Sequence, residues 1–217
     1  MSVEFQDEYA DALDNLVPAL QDSYERMKQQ YSPGYKFDYS QAVANRLRAF
    51  YATQLGIKKI LDKKFAQAGS DFFVETILFF LILFNDLNGL ELEIKSEQTI
   101  QPKRNALRPD ITIWRGLDLL AVIECKTQLG WHRHDWKSHF ESREEKIKEV
   151  FPNAKIFLVV MTSCNWSGFG EDERVGKQLF CLLKDIWPTS LSKCRDPEIF
   201  DTRIEYLFEE INVLSHK

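Results

Sequence analysis

The sequence predicts an α/β (α+β) domain: a long helical N-terminal stretch gives way to three strands, then a helix, then a strand, and the apolar residues change from three-and-four-residue steps to strand-like runs at the same boundaries. A length of 217 residues suits one core with a helical extension. With 44% hydrophobic residues, 28% charged residues and 16 Phe, the composition is that of a globular chain rather than a disordered one.

Residues 4–30 place Phe5, Tyr9, Ala12, Leu13, Leu16, Leu20 and Tyr24 at helical spacing, with Pro18 as a kink or interruption. Ser32-Pro33-Gly34 breaks the chain, and a second helix is expected from about Tyr39 to Leu55, stopped at Gly56. Lys58, Lys59, Lys63 and Lys64 follow; this cluster reads either as a phosphate-contacting patch or as a solvated helix face. Ser70 is placed to cap the next helix, whose uninterrupted apolar run from Ile77 to Phe84 is far shorter than the roughly 20 residues a bilayer requires, so a buried core helix is expected and no membrane span. Asn88-Gly89 marks its end.

Strands are expected at Leu90 to Lys95, Asp110 to Arg115 and Leu119 to Lys126, with Arg115-Gly116-Leu117-Asp118 as a hairpin turn between the last two. A polar helix from about Ser138 to Val150 and a strand from Lys155 to Met161 follow, and Asp172 to Trp187 and Pro197 to Leu214 read as helices. The expected organisation is a helical extension over residues 1–68 serving dimerisation or DNA contact, a core over 69–165, and C-terminal helices over 166–217 packed on that core.

A net charge of −5 provides no overall attraction to nucleic acid, so any such contact has to use local basic patches. Cys125, Cys164, Cys181 and Cys194 are scattered without a C-x-x-C pair and read as reduced, mostly buried thiols rather than as a zinc site or a disulfide framework. The opening residues lack the basic flank and apolar stretch of a secretory signal, so a cytoplasmic location is expected.

The hairpin carries the chemistry. With its turn centred near Leu117, symmetric pairing sets Asp110 opposite Glu124 at the open end. Alternation puts Leu120, Val122, Glu124 and Lys126 on one face and Leu119, Ala121, Ile123 and Cys125 on the other. Ionised residues at the end of an apolar strand cost several kcal/mol unless each is compensated. Two facing carboxylates repel unless a divalent cation sits between them, and hard oxygen ligands suit Mg²⁺, with Mn²⁺ able to substitute. Lys126, on the face of Glu124, is placed to orient water and to offset charge on a phosphate held there.

Pro109-Asp110, 13 intervening residues and then Glu124-Cys125-Lys126 resemble the PD-(D/E)XK nuclease superfamily, and the order of elements over about residues 70–162 resembles it too. The resemblance implies a restriction-endonuclease-like core with a central mixed sheet flanked by helices. It also implies catalytic roles for Asp110, Glu124 and Lys126. Metal ligation falls to Asp110, Glu124, the backbone carbonyl of Cys125, and Glu75 as the helical glutamate of the family, for which Asp71 is an alternative.

Several substrate contacts are open to two readings. Gln128 reads either as a substrate or water ligand or as a solvent-facing strand-end residue. Trp131, His132, Arg133 and His134 mix cations and aromatics in a candidate substrate-contacting loop; two alternate histidines without a carboxylate partner read more readily as surface residues than as zinc ligands. Lys103, Arg104 and Arg108 read as a phosphate clamp or an exposed loop.

The function expected is that of a Mg²⁺-dependent endodeoxyribonuclease, foremost a type II restriction endonuclease acting as a homodimer on double-stranded DNA. A nickase or repair nuclease with the same site, and a catalytically inactive binding module of the same fold, are the alternatives. RNA is not excluded as substrate.

Overall fold

A computed structural model of the protein describes residues 7–31, 36–102, 104, 106–129, 135–165 and 168–216. The chain divides into two compact units, residues 1–37 and 38–217, rather than at residue 68.

The first unit contains helices α1, Glu8–Asp14, and α2, Leu16–Gln30. The single helix expected over residues 4–30 is therefore divided at Asn15. The division falls just before Leu16-Val17-Pro18, because Pro has no N–H to donate and is accommodated only in a first helical turn.

In the second unit, α3 runs from Tyr39 to Ile60, straight through Gly56. An isolated glycine weakens a helix without ending it. Lys58 and Lys59 lie in the last turn, where cations complement the exposed carbonyls. The next helix, α4, spans Ser70–Asn88 and ends on Gly89 in the left-handed conformation, φ 59°; its N-cap is Gly69 rather than Ser70. Gly69 itself is tightly packed: a Cβ there would lie 2.5 Å from the Tyr51 hydroxyl oxygen of α3.

Five strands form one mixed sheet in chain order among the described residues: β1, Glu93–Ser96; β2, Ile111–Arg115; β3, Asp118–Lys126; β4, Lys155–Thr162; β5, Leu179–Leu183. β1, β2 and β3 are antiparallel neighbours, whereas β3, β4 and β5 run parallel, with α5, Trp136–Lys148, as the crossover from β3 to β4. β1 starts later than its alternation suggests because the Asn85 side chain of α4 takes both the N–H and the carbonyl of Leu92.

The hairpin register is the symmetric one over its outer part, away from the turn: Ile111 faces Ile123, Thr112 faces Val122 and Ile113 faces Ala121. It then shifts, so that Trp114 faces Leu119 and Leu120 is left without a partner. This bulge overturns the expected alternation at Leu119, which joins Val122 in the core beneath α5 rather than Ala121 on the other face.

The expectation of a helix over 172–187 is also wrong. Leu179-Phe180-Cys181-Leu182-Leu183 is apolar at every position and buried on both faces as a parallel edge partner of β4. A short run without polar residues has no period that separates strand from helix. The sheet core consequently extends beyond residue 165. A 3₁₀ helix, Pro188–Lys193, and α6, Ile204–Ser215, complete the unit. No helix among the described residues is long and apolar enough to cross a membrane.

Two layers of helix enclose the sheet. On one face Trp136, Phe140 and Ile147 of α5 pack with Val122, Ile156, Leu158, Val160 and Phe169. On the other, α4 and α6 lie against β3, and α3 and α6 reach β5. The starts of α3 and α6 cap each other. Ser40 Oγ accepts the Ile204 N–H at 3.0 Å, while the Glu205 carboxylate accepts the Ser40 N–H at 2.8 Å.

The loop before β5 is braced by Asp172, whose carboxylate takes both Arg174 Nε and Nη2, at 2.8 and 2.9 Å. That pairing, chiefly the side-chain hydrogen bonds from Arg174, holds the Asp172 carboxyl down at about 2. The guanidinium lies 5.7 Å from the Phe140 ring centre, so the brace reaches α5.

Gly69→Ala is expected to destabilise the protein by about 1–3 kcal/mol in urea unfolding, because the new methyl displaces the Tyr51 ring. Asp172→Asn should cost about 1 kcal/mol at neutral pH. A depressed carboxyl stabilises above its unfolded value, so this difference should fade as pH falls from 3.8 toward about 2. Urea titrations at several acidic pH values measure it.

Candidate functional site

Asp110 lies immediately before β2, just outside the ladder. Its carbonyl is fixed by the Ser96 hydroxyl at 2.9 Å and the Glu97 N–H at 3.1 Å. Its carboxylate accepts the Cys125 N–H at 2.7 Å. Pro109 has no N–H to offer a continuing ladder, so β2 begins at Ile111, one residue later than expected, and β3 is completed by the Asp110 side chain instead.

Glu124 and Lys126 occupy the last turn of the β3 pleat. Lys126 Nζ lies 3.3 Å from Asp110 Oδ2 and 3.7 Å from Glu124 Oε2, so one ammonium touches both carboxylates. The three residues named from the sequence are therefore gathered at one point. They differ in exposure: the Glu124 side chain is 7% accessible, that of Asp110 25% and that of Lys126 49%.

A fourth charged group, missed in the sequence, completes the arrangement. Arg143 of α5 donates Nε to Glu124 Oε1 at 2.5 Å and Nη2 to the Arg108 carbonyl at 3.2 Å. Its position, two turns into an otherwise polar helix, carried no pattern that separates it from the neighbouring surface charges. Burial pushes the Glu124 carboxyl up from its usual value and the Asp110 charge adds to the rise, while Arg143 and Lys126 oppose it. Burial also pushes the Cys125 thiol well up, so its sulfur stays protonated and only its carbonyl can serve a hard cation.

Two pockets open beside this point. One, of about 380 Å³, lies toward α4 and brings Asp71 and Glu75 into the same wall as Asp110, Cys125, Lys126 and Gln128. The other, of about 250 Å³, lies toward α5 and is bordered by Glu124 and Arg143. Lys126 and Gln128 border both.

Glu75 thus shares the Asp110 pocket, but Glu124 turns to the opposite face of the sheet. Among the described residues no group of three or more His, Cys, Asp or Glu side chains is close enough to hold a metal ion, so Glu75 does not join Asp110 and Glu124 in a common cage. Arg104 and Arg108 are exposed and border neither pocket. Lys103, Trp131, His132, Arg133 and His134 lie outside the described residues.

The donor set fits Mg²⁺, which is commonly held by one or two carboxylates while it keeps several of its waters. Asp110 and Glu124 supply hard oxygens, and their mutual repulsion on a largely buried glutamate is the imbalance a divalent cation relieves. The chain matches no protein-family model and no curated protein.

Arg143→Ala should destabilise the metal-free protein by about 2 kcal/mol at pH 8, since Glu124 loses its closest cation while mostly buried. A carboxyl raised in the fold favours the folded state in its protonated form, so the stabilisation due to protonation is full below the unfolded value and lost as pH rises through the folded one. The penalty of the variant should accordingly be smaller at pH 5 than at pH 8 in urea unfolding.

Proposed function

We propose that the protein is a Mg²⁺-dependent endodeoxyribonuclease, foremost a type II restriction endonuclease of the PD-(D/E)XK kind that works as a homodimer on double-stranded DNA. The observation that carries this reading is the convergence of the Asp110 and Glu124 carboxylates on Lys126 Nζ at the end of β3. The mixed sheet with helices on both faces is compatible with it.

On this reading Asp110 and Glu124 hold the metal, with the Cys125 carbonyl available beside them. Mg²⁺, when bound, supplies Lewis-acid polarisation of the phosphoryl group and acidifies water. Lys126 is exposed enough to swing toward substrate, where its ammonium orients the attacking water and offsets negative charge growing on the phosphate. Arg143 and Lys126 oppose the upward push that burial gives the Glu124 carboxyl before any metal arrives, which favours its ionised, ligating form. The carboxylates of Asp71 and Glu75, which line the same pocket as Asp110, add to its acidic character.

Incubation of supercoiled plasmid with the protein and Mg²⁺ tests the proposal. Discrete linear fragments indicate sequence-specific cutting, open circles indicate nicking, and an unchanged plasmid favours a binding module; EDTA should abolish any cutting. Lys126→Ala is expected to bind DNA but to lose cleavage by on the order of 10²–10³. Cutting that survives in this variant would overturn the assignment.

A further inference from the structure

The pocket toward α5 has a character unlike that of the acidic pocket across β3. Its walls are the apolar side chains of Leu129, Trp136, Phe140 and Leu158, and its rim is Gln128, His139 and Arg143. It holds about 250 Å³. An apolar cavity of roughly 150 Å³ accommodates a benzene ring, so this one has room for a heterocycle of one or two rings, but not for a helix or a duplex groove surface.

Its position narrows the occupant further. Glu124 and Lys126 belong both to this pocket and to the point where the phosphate is proposed to be held. A nucleobase is joined to its phosphate through a single sugar, so only a nucleotide flanking that phosphate can reach both places. In a stacked duplex the base faces its partner strand, and it has to leave the stack to enter a protein pocket. The cations at the rim, Arg143 and Lys126, also suit the phosphodiester on which such a base hangs.

We propose that this pocket receives the unstacked base of a nucleotide bordering the scissile phosphate, so that the preferred substrate carries an unpaired nucleotide at the cut: a single strand, a gap, or a base turned out of the duplex. The proposal rests on the nuclease reading of the Asp110, Glu124 and Lys126 site, and by naming an unpaired nucleotide as its substrate it moves that reading from the duplex-cutting restriction endonuclease toward the repair-nuclease alternative. Apolar and aromatic walls take any base by its flat face, whereas Gln128 and His139 at the rim offer polar atoms to its edge.

The test uses the full chain with Lys126→Ala, in Mg²⁺, and measures affinity for a single-stranded oligonucleotide, for the same strand made abasic at each position in turn, and for the corresponding duplex. The single strand should bind at least about tenfold more tightly than the duplex, and one abasic position should cost about tenfold. His139 is exposed on α5, so His139→Trp fills the pocket without burdening the core, and its melting temperature verifies the fold. His139→Trp should remove the preference for the single strand, while His139→Ala, which leaves the space open, should retain more of it. Duplex binding equal to or tighter than single-strand binding, indifferent to abasic positions and to His139→Trp, overturns the pocket assignment while the nuclease reading stands. Absence of binding to either form, together with failure of the unsubstituted protein to cut plasmid or single-stranded circles, overturns both.

Discussion

The site depends on one hydrogen bond, from the Cys125 backbone N–H to the Asp110 carboxylate. A ladder that continued past Ile111 would bring Pro109 opposite Cys125, and Pro cannot donate. The strand therefore stops, and the acidic side chain takes over an acceptor role that a carbonyl would otherwise fill. That substitution draws a carboxylate to the edge of a buried strand, where desolvation is costly, and compensates it with a charge-assisted bond of 2.7 Å. Lys126 and Glu124 follow from the same contact. Once Asp110 Oδ2 is held against the backbone of residue 125, the side chains on either side of that residue lie within reach of it.

This explains why so much of the site could be read from the chain alone. A symmetric turn near Leu117 sets the register, and the register sets Asp110 at the level of Glu124; observed pairing from Ile111 to Ile113 has that register. The bulge at Leu120 lies between the turn and this region, and it altered the facing of Leu119 without disturbing the outer end. What the sequence could not convey are the contacts made by residues far away along the chain. Arg143 reaches Glu124 only because the crossover helix returns across the sheet. Glu75 stands where the family resemblance expects a helical ligand, but α4 covers the face opposite to that on which Glu124 lies, a matter of layer. The fifth strand was obscured for a different reason, because Leu179–Leu183 is apolar throughout and offers no alternation to distinguish it.

The charges at the site are arranged as a set of four. Asp110 and Glu124 are each met by Lys126, and Glu124 is met again by Arg143. The two cations oppose the rise that burial and the Asp110 charge impose on the Glu124 carboxyl. On the proposed reading, a divalent cation held by these carboxylates would compete with both side-chain cations. It would release the two most adaptable groups of the site, one of them 49% and the other 31% accessible, toward an anionic substrate. On that reading, metal affinity and substrate affinity would be coupled through the same two positive charges.

The location of the site has a topological cause. β3 is the strand at which the sheet changes from antiparallel to parallel, with β2 on one side and β4 on the other. At its C-terminal end the chain must depart for the crossover helix, while the segment entering β2 arrives from the other side. Segments that diverge from adjacent strands leave a crevice between them, and in open sheets such a crevice lies at the carboxyl ends of the parallel strands. Here the crevice is divided by β3 itself into an acidic half toward α4 and an apolar half toward α5, with Lys126 and Gln128 bordering both. A single strand end thus separates a pocket lined by carboxylates from one lined by apolar rings and chains. On the proposed reading, the first adjoins the scissile phosphate and the second takes the base of a nucleotide bordering it.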